Sequence, residues 1–199
     1  MSPLDSLERK TLLRTARFVI QKSAEKGSFG GFGAEPGSGR LHEPAGVFVT
    51  LRRGKQLRGC MGQLEGAGSL LMAIGMAAGF AATEDPRFEP VRPEEVAGLM
   101  IEISVLTPFE EIAPENVIIG THGLVIQQGN RRGLLLPQVA TEHKLNREKF
   151  LEETCMKAGL PRNAWRDSAT KVFAFTAEVF SEADYAENES GADKLPAPQ

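Results

Sequence analysis

The most concentrated chemistry in the chain lies in Leu57-Arg58-Gly59-Cys60-Met61-Gly62. Side chains alternate along a strand, so Arg58 and Cys60 share one face, and Leu57 and Met61 the other. A guanidinium beside a thiol favours the thiolate and lowers the thiol pKa. That pairing suits an activated nucleophile, or a sulfur placed as a ligand in a pocket. The plainer alternative is a cysteine packed as a small hydrophobe, with Arg58 paired to a carboxylate. Gly59 and Gly62 weaken so short a strand and point to a bulge or to the close approach of another group.

Further candidates surround this segment in the sequence. Glu102 is an acid within an apolar strand, able to act as a base, to partner Arg58, or simply to occupy a half-exposed sheet face. His122, before Gly123 at a turn, has the titration range of a general base, and a solvated loop position explains it as well. Asp85 and Arg87, in Asp85-Pro86-Arg87-Phe88, either position a ligand or tie down the turn through side chain-to-backbone bonds; the tie is favoured. Pro137 denies a ladder donor, so the strand ends or lies at an edge there, and Gln138 beside it is a candidate to point into a cleft. The three histidines, at 42, 122 and 143, are far apart and show no metal-ligand spacing. The glycine-rich stretch 27–39 lacks the G-x-x-x-x-G-K-[ST] phosphate loop and reads as a mobile flap or a linker. Cys155 and Trp165 read as core residues.

The elements that must position these groups follow from local signals. Ser2-Pro3-Leu4-Asp5 reads as a helix start, with Leu12, Ala16, Val19 and Ile20 at helical spacing and Gly27 as the stop. Residues 47–51 and 56–62 form a hairpin about Gly54. Ser69 opens a helix in which Gly75 and Gly79, four apart, call for a close neighbour, since each costs roughly 1 kcal/mol against alanine there. Residues 99–106 form a strand, 123–136 a second hairpin, and Asn146 caps a helix that Gly159 ends. A last strand spans 171–180, with Phe173, Phe175, Ala177 and Val179 on one face. Hairpin-joined strands with covering helices make an α+β fold of antiparallel sheets with flanking helices.

Composition bounds the rest. The 199 residues are 41% hydrophobic and 25% charged, enough for a real core without staples. The net charge of -3 argues against a general nucleic-acid binder. The two cysteines make no disulfide framework. The first residues contain acids and no apolar run, so no secretory signal is expected. The apolar window Leu70–Ala82 is too short to span a bilayer. The expectation is a cytoplasmic protein with reduced thiols, folded over 1–180, with an acidic, disordered tail at 181–199.

Taken together, VFVTL (47–51), LRGCMG (57–62), DPRF (85–88), IEISVLTPFEEI (101–112), HGLVI (122–126), RRGLLLPQVA (131–140) and FLEETCMKAGLPRNAW (150–165) resemble the AMMECR domain family. The likeness runs in the family's order over about residues 47 to 180, and Met61 replaces a commoner isoleucine in the LRGC-x-G signature. It implies an α+β fold with a larger and a smaller lobe. It also implies kinship with protein A of a three-part system, whose other members are a Memo-type protein and a radical S-adenosylmethionine protein. The resemblance does not establish a biochemical activity, and it leaves the cofactor unknown. The leading expectation is an accessory, ligand- or partner-binding component with a cleft about Arg58, Gly59, Cys60 and Gly62, joined by Asp85, Arg87 and Gln138. The alternative is an enzyme with Cys60 as nucleophile, Arg58 as its cation and Glu102 or His122 as base.

Overall fold

The first helix starts where two orphan backbone donors are satisfied at once. The Asp5 carboxylate accepts from the Glu8 amide at 2.8 Å, and the Glu8 carboxylate accepts from the Asp5 amide at 3.0 Å. This reciprocal capping box displaces the start expected at Ser2, where a serine would satisfy one donor and Pro3 has none to offer. The helix α1 (Ser6–Lys26) ends at Gly27, in the left-handed region at φ +69°.

The computed structural model describes residues 2–33, 39–66 and 68–188. After α1 come β1 (Val47–Arg53), β2 (Gln56–Gln63), α2 (Leu70–Thr83), α3 (Pro93–Val96), β3 (Met100–Leu106) and β4 (Glu110–Glu111). The chain continues through β5 (Gly123–Gln128), β6 (Arg131–Leu135), α4 (Pro137–Glu142), α5 (Arg147–Lys157), β7 (Lys171–Phe175) and β8 (Ala177–Ser181). Helices flanking antiparallel sheets make this an α+β protein. It divides into two units, residues 1–105 with the segment from Val179, and the smaller 106–178.

The first unit holds a four-stranded sheet in the order β2-β1-β3-β8. Val47, Val49 and Leu51 of β1 and Ile101, Ile103 and Val105 of β3 alternate into a core shared with α1 and α2. Ser69 caps α2 as expected, its hydroxyl accepting from the Met72 amide. The neighbours that Gly75 and Gly79 require are aromatic: a methyl on either would overlap the ring of Phe32 or of Phe29, respectively. The segment 27–33, expected as a flap or linker, is therefore docked on α2 by two phenylalanines. Residues 34–38 of the glycine-rich stretch lie outside the described residues.

The second unit holds an antiparallel sheet in the order β4-β7-β5-β6, packed on Phe150, Leu151 and Cys155 of α5. Asn146 caps α5 by accepting from the Lys149 amide at 2.9 Å. Pro137 ends the preceding strand and occupies the first turn of α4, a short helix without a sequence signal.

The last expected strand is corrected. The single strand at 171–180 is two strands in different sheets, separated at Thr176. The Thr176 amide donates to the Thr107 hydroxyl at 2.9 Å rather than to a ladder carbonyl, and the alternation restarts there. Of the expected face Phe175 is buried while Val179 is 43% exposed, and Val172, Ala174 and Phe180 of the opposite alternation are buried. The acidic segment stays on the fold beyond Ser181, as a 3-10 turn at Glu182–Asn188. Glu182 accepts from the Arg17 guanidinium and from the Ile101 amide, and Tyr185 packs on the first core. The expected tail from 189 onward lies outside the described residues.

Candidate functional site

The β1–β2 register decides what the LRGCMG segment presents. Leu51 opposes Gly59 and Arg52 opposes Leu57, so Arg58 is the extra residue of a bulge. The simple alternation that put Arg58 beside Cys60 is broken at this residue. Arg58 turns to Glu95 on α3 in a two-pronged pair, Nε to Oε1 at 3.1 Å and Nη2 to Oε2 at 3.0 Å. Its remaining donors reach the carbonyls of Glu89 at 3.0 Å and Pro90 at 3.3 Å. Both side chains are largely shielded, at 16% and 10% exposure. The Arg58 hydrogen bonds, with the Arg92 amide second, lower the Glu95 carboxyl to a pKa of about 2. The guanidinium expected to prime the thiol is committed to a carboxylate on another element.

Cys60 has different company. It lies directly opposite Thr50, which on its other side lies opposite Glu102. Directly paired residues share a sheet face, so the three form one row across β2, β1 and β3. The Thr50 hydroxyl donates to Cys60 Sγ at 3.3 Å. Because β2 is an edge strand, the backbone of Cys60 has no neighbouring strand on its outer side. The DPRF turn supplies the missing partners: Asp85 Oδ2 accepts from the Cys60 amide at 2.8 Å, and Arg87 Nη2 donates to the Cys60 carbonyl at 3.4 Å. A carboxylate and a guanidinium thus stand in for an adjacent strand and close the edge.

Asp85 is only 4% exposed and is gripped by Arg87 through Nε at 2.9 Å, Nη2 at 2.7 Å and the backbone amide at 3.1 Å. The Arg87 side chain is the chief cause of its lowered pKa, about 2; burial opposes the shift and the Cys60 and Arg87 amides add to it. Arg87 itself is raised, mainly by Asp85, with a lesser contribution from the neighbouring Cys60. The Arg87 side chain is half exposed, and Cys60 is partly exposed. The cation at Cys60 is therefore Arg87, held on its backbone carbonyl. The expected turn tie at Asp85 is present and extends to the β2 edge.

The two glycines of the segment serve close approach. A methyl on Gly59 would overlap the Ala81 carbonyl of α2, and one on Gly62 would overlap the Val47 carbonyl and the Phe48 Cα. Glu102 is in the row but has Thr50 between it and Cys60. His122 and Gln138 belong to the second unit. There, His122 Nδ1 accepts from the Ile118 amide at 3.2 Å and closes a turn, while Gln138 Oε1 is buried without a hydrogen-bond partner among the described residues. Thr50 and Glu95 were not legible as site residues: Thr50 shows as a polar residue in an apolar strand, and Glu95 has no local signal. Among the described residues, no cluster of three or more His, Cys, Asp or Glu is placed to hold a metal, and no helix is long and apolar enough to cross a membrane.

The geometry offers a partly exposed sulfur at hydrogen-bond distance from the Thr50 hydroxyl, with the Arg87 guanidinium on the carbonyl of the same residue. Three hollows are prominent: one of about 840 Å³ in the second unit beside Trp165 and Leu151, and two of about 580 and 270 Å³ along α1. Residues 57–62 line none of these three.

Comparison with known proteins extends the likeness to the first helix. A family model described as AMMECR1 matches residues 13–180. A protein of Methanothermobacter thermautotrophicus is 42% identical over 198 residues, spanning 91% of this chain and 97% of its own length. One from Pyrococcus furiosus is 47% identical over 153 residues, spanning 71% of this chain and 73% of its own. The crystal structure of an uncharacterized protein from Pyrococcus horikoshii superposes with a TM-score of 0.76 at 43% identity, covering 86% of this chain and 89% of that one.

Proposed function

The chain belongs to the AMMECR1 family, and from that premise we propose that it is a binding component, rather than the catalyst, of a system shared with a Memo-type protein and a radical S-adenosylmethionine protein. Its contact site is the β2 edge around Cys60, Asp85 and Arg87. The observation that carries this reading is the set of partners at Cys60. Among the described residues the Thr50 hydroxyl is the side-chain group at hydrogen-bond distance from the sulfur, and no carboxylate or imidazole stands there to act as a base. Asp85 and Glu95, the carboxylates closest in role, are already held by Arg87 and Arg58. A half-exposed guanidinium at a partly exposed cysteine suits recognition of an anionic or carbonyl group on a ligand or partner. Working with such partners places the protein in the cytoplasm.

Tagged capture of the two system proteins tests this. Retention of at least one is expected, weakened about tenfold by Arg87→Ala through loss of one charge-assisted contact. Retention of neither, together with no shift in melting temperature from any ligand of the system, overturns the reading.

The Arg87 guanidinium held at Cys60 favours one second reading, a cysteine-dependent enzyme. The discriminating measurement is the alkylation rate of Cys60 against pH, with Cys60→Ser as blank. A rate that climbs only near the ordinary thiol value of about 8.5 rejects a primed nucleophile.

A further inference from the structure

The helix α1 carries six cations and two carboxylates in a chain whose net charge is -3. Four of the cations and one aromatic residue fall in a single row at i, i+4 spacing: Lys10, Arg14, Phe18, Lys22 and Lys26. Successive members are about 6 Å apart along the axis. Phe18, in the middle, is 55% exposed, well beyond the usual burial of a phenylalanine. It lines both hollows along the helix, the larger with Lys10 and Arg14 and the smaller with Lys22 and Lys26. Buried Leu13 contributes to the larger hollow and buried Val19 to the smaller. The one carboxylate lining either hollow, Glu182, is already bound to Arg17. Arg14 and Lys26 form no ion pair among the described residues, and Lys22 meets Glu25 of the same helix in a solvent-exposed pair at 2.9 Å, the kind that contributes little and exchanges readily.

We propose that this row is a docking surface for an acidic amphipathic helix of a partner protein. An apolar side chain of that helix packs against Phe18, and carboxylates four residues to either side pair with Arg14 and Lys22. Carboxylates at i, i+4 spacing on a helix repeat at the same interval as the cations on α1. A row at this spacing is the i±4 ridge of a helix, which winds about the axis, so the partner crosses α1 at about -50°. A second copy of this chain is disfavoured, because the row would meet its own positive charge. Nucleic acid is disfavoured by the apolar centre, where a phosphate backbone has nothing to bury. The surface lies on α1, away from the residues assigned to the β2 edge, so Cys60→Ser leaves it intact.

The test is fluorescence anisotropy of the full chain with a labelled helical peptide bearing Glu four residues before and after a central Leu. Saturable binding is expected, weakening as salt rises, because the paired charges are exposed. Arg14→Glu with Lys22→Glu lowers affinity about tenfold or more, and Phe18→Ala about tenfold through lost apolar contact. Cross-linking from the peptide to Lys10 or Lys22 of the unmodified chain checks the location without relying on the variants. The proposal is overturned if the peptide binds no better than its Glu→Gln counterpart, or if the substitutions leave affinity unchanged. It is equally overturned if they abolish retention of polyuridine or of phosphatidylserine vesicles while peptide binding persists, or if Phe18→Ala dissolves a dimer of this chain.

Discussion

Replacing Asp85 with asparagine is the sharpest probe of the β2 edge. The carboxylate is buried and accepts four hydrogen bonds: one from the Cys60 amide, one from the Arg87 amide and two from the Arg87 guanidinium. Asparagine has one carbonyl oxygen to accept with, and its amide group faces donors. At least one donor is left unsatisfied, and the charge holding Arg87 is lost. Hydrogen bonds to charged groups contribute about 1.5–3 kcal/mol each when removed singly. Because Arg87 is half exposed and solvent screens its share, we take a loss of about 3 kcal/mol at pH 7 for the whole set.

The pH dependence separates charge from shape. The carboxyl pKa falls from 3.8 to about 2 on folding, which corresponds to about 2 kcal/mol of stability. A depressed carboxyl pKa stabilises fully above the unfolded value and is lost as pH falls through the folded one. The gap between wild type and Asp85→Asn should therefore be full above pH 4 and shrink to about 1 kcal/mol at pH 2. Urea unfolding by far-UV circular dichroism at pH 7, 4 and 2 measures it. Hydrogen exchange over 57–63 should show the Cys60 amide losing protection in the variant. A gap under about 0.5 kcal/mol at pH 7, or a constant gap from pH 7 to pH 2, would refute the account of the edge.

Glu95→Gln should cost about 2 kcal/mol at pH 7 by freeing the shielded Arg58; this effect too fades between pH 4.5 and about 2. A double-mutant cycle with Arg58→Ala should return a coupling of about 1 kcal/mol or more, and additivity would show the pair to be idle. Gly79→Ala should destabilise by about 1–3 kcal/mol despite alanine's better helix propensity, because its methyl overlaps the Phe29 ring. Proteolysis at 27–33 should then quicken, and Phe29→Ala in the same background should recover part of the melting temperature. Under native conditions an alkylating reagent should label Cys60 and spare Cys155, which is fully buried and whose thiol pKa is pushed up by that burial. Mass spectrometry showing equal labelling of both would contradict the packing of α5.

The α+β fold, the two hairpins, and the caps at Ser69 and Asn146 are all legible along the chain, because turns, caps and alternation are local signals. The AMMECR likeness is legible for the same reason, as a succession of short motifs. Tertiary packing decided the rest. The bulge that removes Arg58 from Cys60 depends on which β1 residue each position opposes, and the Glu95 that captures Arg58 is 37 residues away in sequence. Arg87, read as a turn residue, became the cation at the Cys60 backbone only when α2 delivered the DPRF turn to an open strand edge. Likewise, Gly75 and Gly79 announced a close neighbour, but its identity as Phe32 and Phe29 required the fold. Sequence determines what a residue does to its own stretch of backbone; what its side chain meets across the molecule is set by competition among distant groups for the same space and the same hydrogen bonds.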